Sequence, residues 1–238
     1  MNKYCIVNGD DFGVSRGVNR GILEAHRKGI LSSTSLMVDM PAAHEAALMS
    51  RQASGISIGL HVVLTSEDGE PLVDFDSPKV CQSQLRRQWN RFIDLMGRMP
   101  THLDSHHNIH RDPRLLPLFL ELAEEQNIPM REHSPVRYFP DFYGQWDGET
   151  HPEQISVDNL ISMLAEEVGP GFTELSCHPG YMDPGFETSY AIEREMELQT
   201  LCSPIIRQAV ENYRITLINY NELNELIANT NKLKESSI

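Results

Sequence analysis

Thr101-His102-Leu103-Asp104-Ser105-His106-His107-Asn108-Ile109-His110 holds four of the ten histidines in a chain of 238 residues. Along an extended strand successive side chains face opposite ways, so His102, Asp104 and His106 share one face while Leu103 and Ser105 take the other. Imidazole nitrogens and carboxylate oxygens are ligands for a divalent metal, and a strand that ends in such a run presents them at its tip. A surface loop that is merely rich in histidine is the plain alternative. The rest of the chain argues against it.

Upstream, residues 4–7 read as a buried strand stopping at Asn8-Gly9-Asp10-Asp11-Phe12-Gly13, where two glycines bracket two carboxylates. Val18, Ile22 and Ala25 then follow helical spacing from Ser15 until Gly29 closes the unit. Residues 34–38 form a second strand, and Pro41 opens a helix through Ala42, Ala46 and Met49. A third strand, 56–62, carries His61 near its C-terminal end. Leu85, Trp89, Phe92, Ile93 and Met96 make the apolar stripe of a helix ended by Gly97, just before the histidine-rich fourth strand. That stripe reads as core.

Downstream, Asp112-Pro113 is expected to open a helix through Leu116, Phe119, Leu120 and Ala123, with Pro117 distorting its first turns. Residues 128–132 are a fifth strand candidate. Residues 134–152 read as a long irregular connection with five aromatics, Tyr138, Phe139, Phe142, Tyr143 and Trp146. Residues 159–168 are weakly helical, and 173–178 form a strand ending in His178. Ser203-Pro204 caps a helix to Tyr213, residues 215–218 are the last strand, and a polar helix around Leu223 and Leu226 follows. Strand and helix alternate throughout, so the fold class is α/β, and a single domain over residues 1–238 built as a TIM-like (β/α) barrel is expected. Asp10 and Asp11, His61, the histidine run and His178 all lie at C-terminal ends of strands. In a barrel those ends meet on one face.

Composition narrows the function. A net charge of -14 would repel a phosphate backbone, and Lys and Arg form no basic stripe, so nucleic acid is excluded as a partner. Cys5, Cys81, Cys177 and Cys202 include no Cys-x-x-Cys pair, which argues against a zinc ribbon or a disulfide framework and fits a reducing cytoplasm. The apolar run at Cys5-Ile6-Val7 is too short for a signal-peptide core or a membrane span. The expectation is a cytoplasmic protein without membrane contact; a homodimer is compatible with it.

Four blocks carry a resemblance: Ile6-Val7-Asn8-Gly9-Asp10-Asp11-Phe12-Gly13, Gly59-Leu60-His61-Val62-Val63-Leu64-Thr65, Pro100-Thr101-His102-Leu103-Asp104-Ser105-His106-His107 and Cys177-His178-Pro179. In content and order they resemble the YdjC family of carbohydrate deacetylases. The resemblance implies a distorted (β/α) barrel that binds one divalent metal, usually magnesium, through the positions of Asp11, His61 and His106. It also implies hydrolysis of the N-acetyl group of an amino sugar, N-acetylglucosamine-containing chitooligosaccharides being the familiar substrates. Gly9 stands where relatives often carry Ala, Asn108 stands where many carry a third His, and the segment 65–100 is shorter than in the chitooligosaccharide enzymes.

The residues support matching chemistry. One carboxylate and two imidazoles leave metal positions open for water and substrate, and such a donor set suits zinc as well as magnesium. Asp10 would be the general base, if the strand has broken its alternation by Phe12-Gly13, and Arg131 would either orient it or form a surface ion pair. His178, from another strand, would protonate the leaving amine or stabilise the oxyanion. His102 and Asp104 would hold the metal imidazoles, and Tyr143 and Trp146 would stack on sugar rings. A metal-dependent phosphoesterase and a non-catalytic sugar-binding protein are the rival readings. Cys177, one residue from His178, should face away from the site and take no part.

Overall fold

Strand β1, Lys3–Phe12, is the axis of the molecule, because three other strands pair with it. The computed structural model describes residues 2–235, with side chains through residue 227. The remaining strands are β2 Ser33–Leu36, β3 Ser57–Val62, β4 Leu103–Ser105, β5 Val136–Phe139, β6 Gln145–Trp146, β7 Glu149–Thr150, β8 Gly171–Cys177 and β9 Ile215–Leu217. The helices are α1 Arg16–Lys28, α2 Ala43–Ser50, α3 Pro78–Met96, α4 Leu116–Gln126, α5 Val157–Glu166, α6 Ile192–Leu201, α7 Pro204–Asn212 and α8 Tyr220–Glu235.

The main sheet is parallel throughout and runs β4-β3-β2-β1-β8-β5. One edge of β1 pairs with β8 from Lys3 to Gly9; its other edge pairs with β9 over Lys3 to Cys5 and with β2 from Asn8 onward. β9 is thus a wedge between β1 and β2 at the N-terminal end. The sheet curls into a half-barrel, the distorted (β/α) barrel expected from the sequence, with the C-terminal strand ends on one face. Strands β1 to β3 are buried on both faces, as parallel strands covered by helices must be. Cys81, Leu85, Trp89 and Phe92 bury the apolar stripe of α3, and Gly97 ends that helix in a left-handed turn at φ 68°. No helix among the described residues is long and apolar enough to cross a membrane.

Several elements differ from expectation. Residues 128–132 form only an isolated bridge, Leu103 to Met130, because Asn127 and Glu132 turn the chain at both ends with φ of 52° and 64°. The connection expected to be irregular instead contains β5, paired with β8, and the β6–β7 hairpin. Helix α4 starts at Leu116 rather than at Asp112. Pro117 sits in its first turn, where a missing N–H costs nothing, so it does not distort the helix. The histidine strand is short: β4 ends at Ser105, and His106–Arg111 form a 3-10 turn.

Helix α1 lies close against the segment that follows β8. A Cβ on Gly21 would stand 2.5 Å from the Cα of Gly180, two residues beyond His178. Gly21→Ala would gain about 1 kcal/mol in helix propensity. The backbone collision would cost about 1–3 kcal/mol, so it dominates. We expect a lower urea midpoint for Gly21→Ala; an unchanged or higher midpoint would show that α1 can move away freely.

Candidate metal centre and active site

The site is built from four strand ends. Asp10 and Asp11 are neighbours on β1 and would normally face opposite ways, but Asp11 adopts φ 67° and the β1–β2 register shifts between Gly9 and Phe12. The break in alternation therefore falls at Asp11 itself, one or two residues earlier than expected, and both carboxylates line one cavity. This cavity, of about 350 Å3, is also lined by His61, His106, Tyr143 and His178.

Asp11 Oδ1 lies 3.4 Å from His61 Nε2 and 3.2 Å from His106 Nδ1. Two donors, each about 2.1 Å from a common ion, are about 3.0–3.4 Å apart in tetrahedral or octahedral geometry. Asp11 Oδ1 is also a buried acceptor without a hydrogen-bond partner. These features fit a divalent cation. His61 Nδ1 meets Asp104 Oδ1 at 2.7 Å, which places a ring proton on Nδ1 and aims Nε2 at the cavity. A second cluster, Asp10, His61 and Asp104, has suitable spacing. Its two carboxylates are already ion-paired with Arg131, whose charge would oppose a cation there.

On one side of the cavity, Arg131 is buried and donates to both oxygens of Asp10 at 2.8 Å and to Glu174 at 2.7 and 2.9 Å. It also stands 3.1 Å from Asp104. It is not a surface ion pair. Burial alone would raise the carboxyl of Asp10, but the guanidinium overcomes it and leaves Asp10 below its ordinary range. For Asp11, burial is likewise overcome, here by Arg194, whose Nη2 donates to Oδ2 at 2.6 Å. Arg194 leaves Oδ1 free to face the two imidazoles.

On the opposite side His178 Nε2 lies 4.0 Å from Asp10 Oδ2. Burial outweighs the two aspartates and brings its imidazolium down to about 4, so the ring is neutral at physiological pH. Tyr143 and Tyr190 stack on each other at 4.5 Å and present edges to His178 at 5.5 and 5.6 Å. Glu197, buried on α6, accepts from the backbone N–H of His178 and from the Tyr190 hydroxyl. Burial pushes its carboxyl up to about 8.

His102 and Trp146 do not meet their expected places. His102 is stacked on Tyr220 at 3.9 Å, with Nε2 3.8 Å from Asp104 Oδ2 and Nδ1 2.9 Å from Thr101 Oγ1. Its ring lies behind Asp104, and only Asp104 reaches a cavity imidazole. Trp146 stands on the β6–β7 hairpin, stacked on His151 at 3.4 Å and 43% exposed, outside the cavity lining that includes Tyr143. Cys177 faces backward as expected, its Sγ donating to Asn8 O, and burial raises its thiol well above the ordinary range. Arg194, Glu197 and Tyr190 were not singled out in the sequence.

A parallel α/β half-barrel with an Asp-His-His cluster and a separate Asp-His pair at its strand ends defines a hydrolase-like architecture. The sequence matches the family described as YdjC-like protein over residues 4–212, and the chain belongs to that family. A carbohydrate deacetylase of Geobacillus stearothermophilus is 37% identical, over 95% of this chain and 100% of its own length. A chitooligosaccharide deacetylase of Serratia marcescens is 34% identical, over 94% and 100%. A solved structure from Enterococcus faecalis V583, provisionally assigned to cellobiose-phosphate cleavage, superposes with a TM-score of 0.79 at 27% identity and covers 94% of this chain and 99% of that one.

Any metal at Asp11, His61 and His106 competes with a proton. Burial lowers the His61 imidazolium, but Asp104, Asp11 and Asp10 more than reverse this and push it up to about 10. Below that pH the proton on Nε2 must leave before a metal binds, so apparent affinity should rise about tenfold per pH unit between pH 6 and 9. Competition against a chromophoric chelator at each pH measures this. A flat profile would show that His61 is not a ligand.

Proposed function

We propose that this protein is a metal-dependent hydrolase that removes N-acetyl groups from amino sugars, in N-acetylglucosamine-containing oligosaccharides such as chitooligosaccharides. The observation that carries this reading is the placement of Asp10 and His178 beside the Asp11, His61 and His106 cluster in one cavity. The family relatives named carbohydrate deacetylase support it. One divalent cation would be held by Asp11, His61 and His106, and when bound it would polarise the acetyl carbonyl and acidify a water. The family resemblance favours magnesium, and the nitrogen-rich donor set favours zinc.

The protein groups then have separable tasks. Asp10, held bidentate by Arg131, takes the proton of the attacking water. His178, neutral and with Nε2 4.0 Å from Asp10 Oδ2, receives the proton that Asp10 took from the water and passes it to the departing amine, which returns Asp10 to the carboxylate and His178 to the neutral ring. Arg131 positions Asp10, and Asp104 positions His61. Tyr143 forms a sugar-facing wall; Trp146 is left out of this inner site. A phosphate ester fits poorly, because Arg131, Arg194 and Arg111 are already paired with Asp10, Asp11 and Glu132. The four cysteines are free thiols, which supports the cytoplasm as the working compartment.

Acetate release from a panel of N-acetylated mono- and oligosaccharides, after chelation and re-addition of Mg2+ or Zn2+, tests the reading. Activity should vanish on chelation and return with one metal. No acetate from any sugar with either metal would refute the assignment. Asp10→Asn and His178→Ala should each lower turnover about a hundredfold or more. Cys177→Ala should keep most activity; an inactive but folded and metal-loaded Cys177→Ala would reopen covalent thiol catalysis.

A further inference from the structure

The histidine run contains a second, buried constellation that the catalytic reading leaves unused. Ser105 Oγ and His110 Nδ1 are 2.7 Å apart, and His110 Nε2 is 3.0 Å from Glu132 Oε2. Arg111 closes the line, donating to both oxygens of Glu132 at 2.8 Å. The proton positions follow. Glu132 can only accept, so His110 carries its proton on Nε2, and its bare Nδ1 accepts the Ser105 hydroxyl proton. Ser105 Oγ in turn accepts the backbone N–H of His110 at 3.1 Å. Burial lowers the imidazolium of His110, in agreement with a neutral ring.

This resembles a hydrolytic Ser-His-Glu triad in connectivity. Its placement excludes that role. His110 is absent from the cavity lining and packs toward Phe119 of α4, with ring centroids 6.1 Å apart. Ser105 borders the cavity, but its hydroxyl is engaged by His110, donating to Nδ1 and accepting the backbone N–H, so it is not offered to a substrate.

What the relay encloses is the turn that carries His106. Immediately after His106, two residues that are not glycine, His107 and Asn108, adopt left-handed φ of 53° and 50°. Such a pair persists only when its surroundings hold it. Ser105 and His110 clamp the two ends of this turn. At the far end of the relay Glu132, itself at φ 64°, follows Arg131 directly. One chain of hydrogen bonds therefore joins the backbone beside a proposed metal ligand to the backbone beside the residue that holds Asp10.

We propose that Ser105, His110 and Glu132 act as a positioning relay that presents the His106 imidazole to the metal site. Neither His110 nor Glu132 lines the cavity, and Ser105, at its border, has its hydroxyl turned to His110. The relay works by fixing the left-handed turn so that His106 Nδ1 stays 3.2 Å from Asp11 Oδ1. This inference rests on the metal-site reading above.

The test is Zn2+ affinity of the full chain by chelator competition, together with urea unfolding of the metal-free protein. Ser105→Ala and His110→Ala should each bind Zn2+ about tenfold or more weakly, the usual scale for losing an outer partner of a ligand. The double variant should be scarcely weaker than either single one, because a relay broken once is broken. Glu132→Ala, at the half-exposed end, should weaken binding in the same direction and is the variant least apt to misfold. A merely structural network would lower the urea midpoint and leave Zn2+ affinity at the wild-type value, which would overturn the proposal. Additive losses from Ser105 and His110 would also overturn it. A wild-type protein that binds no Zn2+, with His106→Ala indistinguishable from it, would instead remove the metal-site reading itself and the relay's purpose with it.

Discussion

The guanidinium of Arg131 is the contact on which the active face depends. It is buried beneath the strand ends and meets Asp10 from β1, Asp104 from β4 and Glu174 from β8. Without it three carboxylates would be buried close together, which is untenable at low dielectric. Removing one partner of a buried ion network costs about 3–5 kcal/mol, so Arg131 holds the strand ends together as well as fixing Asp10. It also ties β4 across the half-barrel to β1 and β8, neither of which pairs with it. Tyr220, at the start of α8, completes the cluster by donating to Glu174 Oε2 at 2.7 Å.

A second support comes from helix α6. Arg194 and Glu197 lie three residues apart and so share one face of the helix. Arg194 fixes Asp11, while Glu197 takes the backbone N–H of His178 and the hydroxyl of Tyr190. The Asp10 side of the cavity is thus anchored within the half-barrel, and the His178 side on a helix outside it. The proposed metal ligands lie between these anchors, with Asp11 held by one and His61, through Asp104, by the other.

Much of this was legible in sequence because parallel strands and their covering helices leave strong apolar signals. Val18, Ile22 and Ala25 predicted α1, and Leu85, Trp89 and Phe92 predicted α3, as the burial of these residues bears out. Helix α6 left no such trace, since its buried positions include Glu193, Arg194 and Glu197. Their burial is stabilised by partners far away in the chain, which periodicity cannot reveal. For the same reason Arg194 was invisible as a site residue. Residues 128–132 misled in the opposite sense: their composition suits a strand, but left-handed residues at 127 and 132 leave room for one bridge. Aromatic content likewise could not separate Tyr143, inside the cavity, from Trp146, which spends one face on His151.

The charge of the cluster explains why a divalent ion suits it. Asp10, Asp11, Asp104 and Glu174 are four carboxylates, and Arg131 and Arg194 are the two guanidiniums that contact them. Glu174 is raised by burial, yet both its oxygens accept hydrogen bonds, from Arg131 and Tyr220, as the ionised form does. Two negative charges therefore remain unbalanced around His61. In the metal-free protein part of that deficit is met by a proton, which is why His61 is pushed up to about 10 despite complete burial. A single proton leaves one charge over. A divalent cation at Asp11, His61 and His106 would neutralise both and free the imidazole of its proton. The same electrostatics that make the apo site hold a proton strongly make it a better host for an ion of charge two.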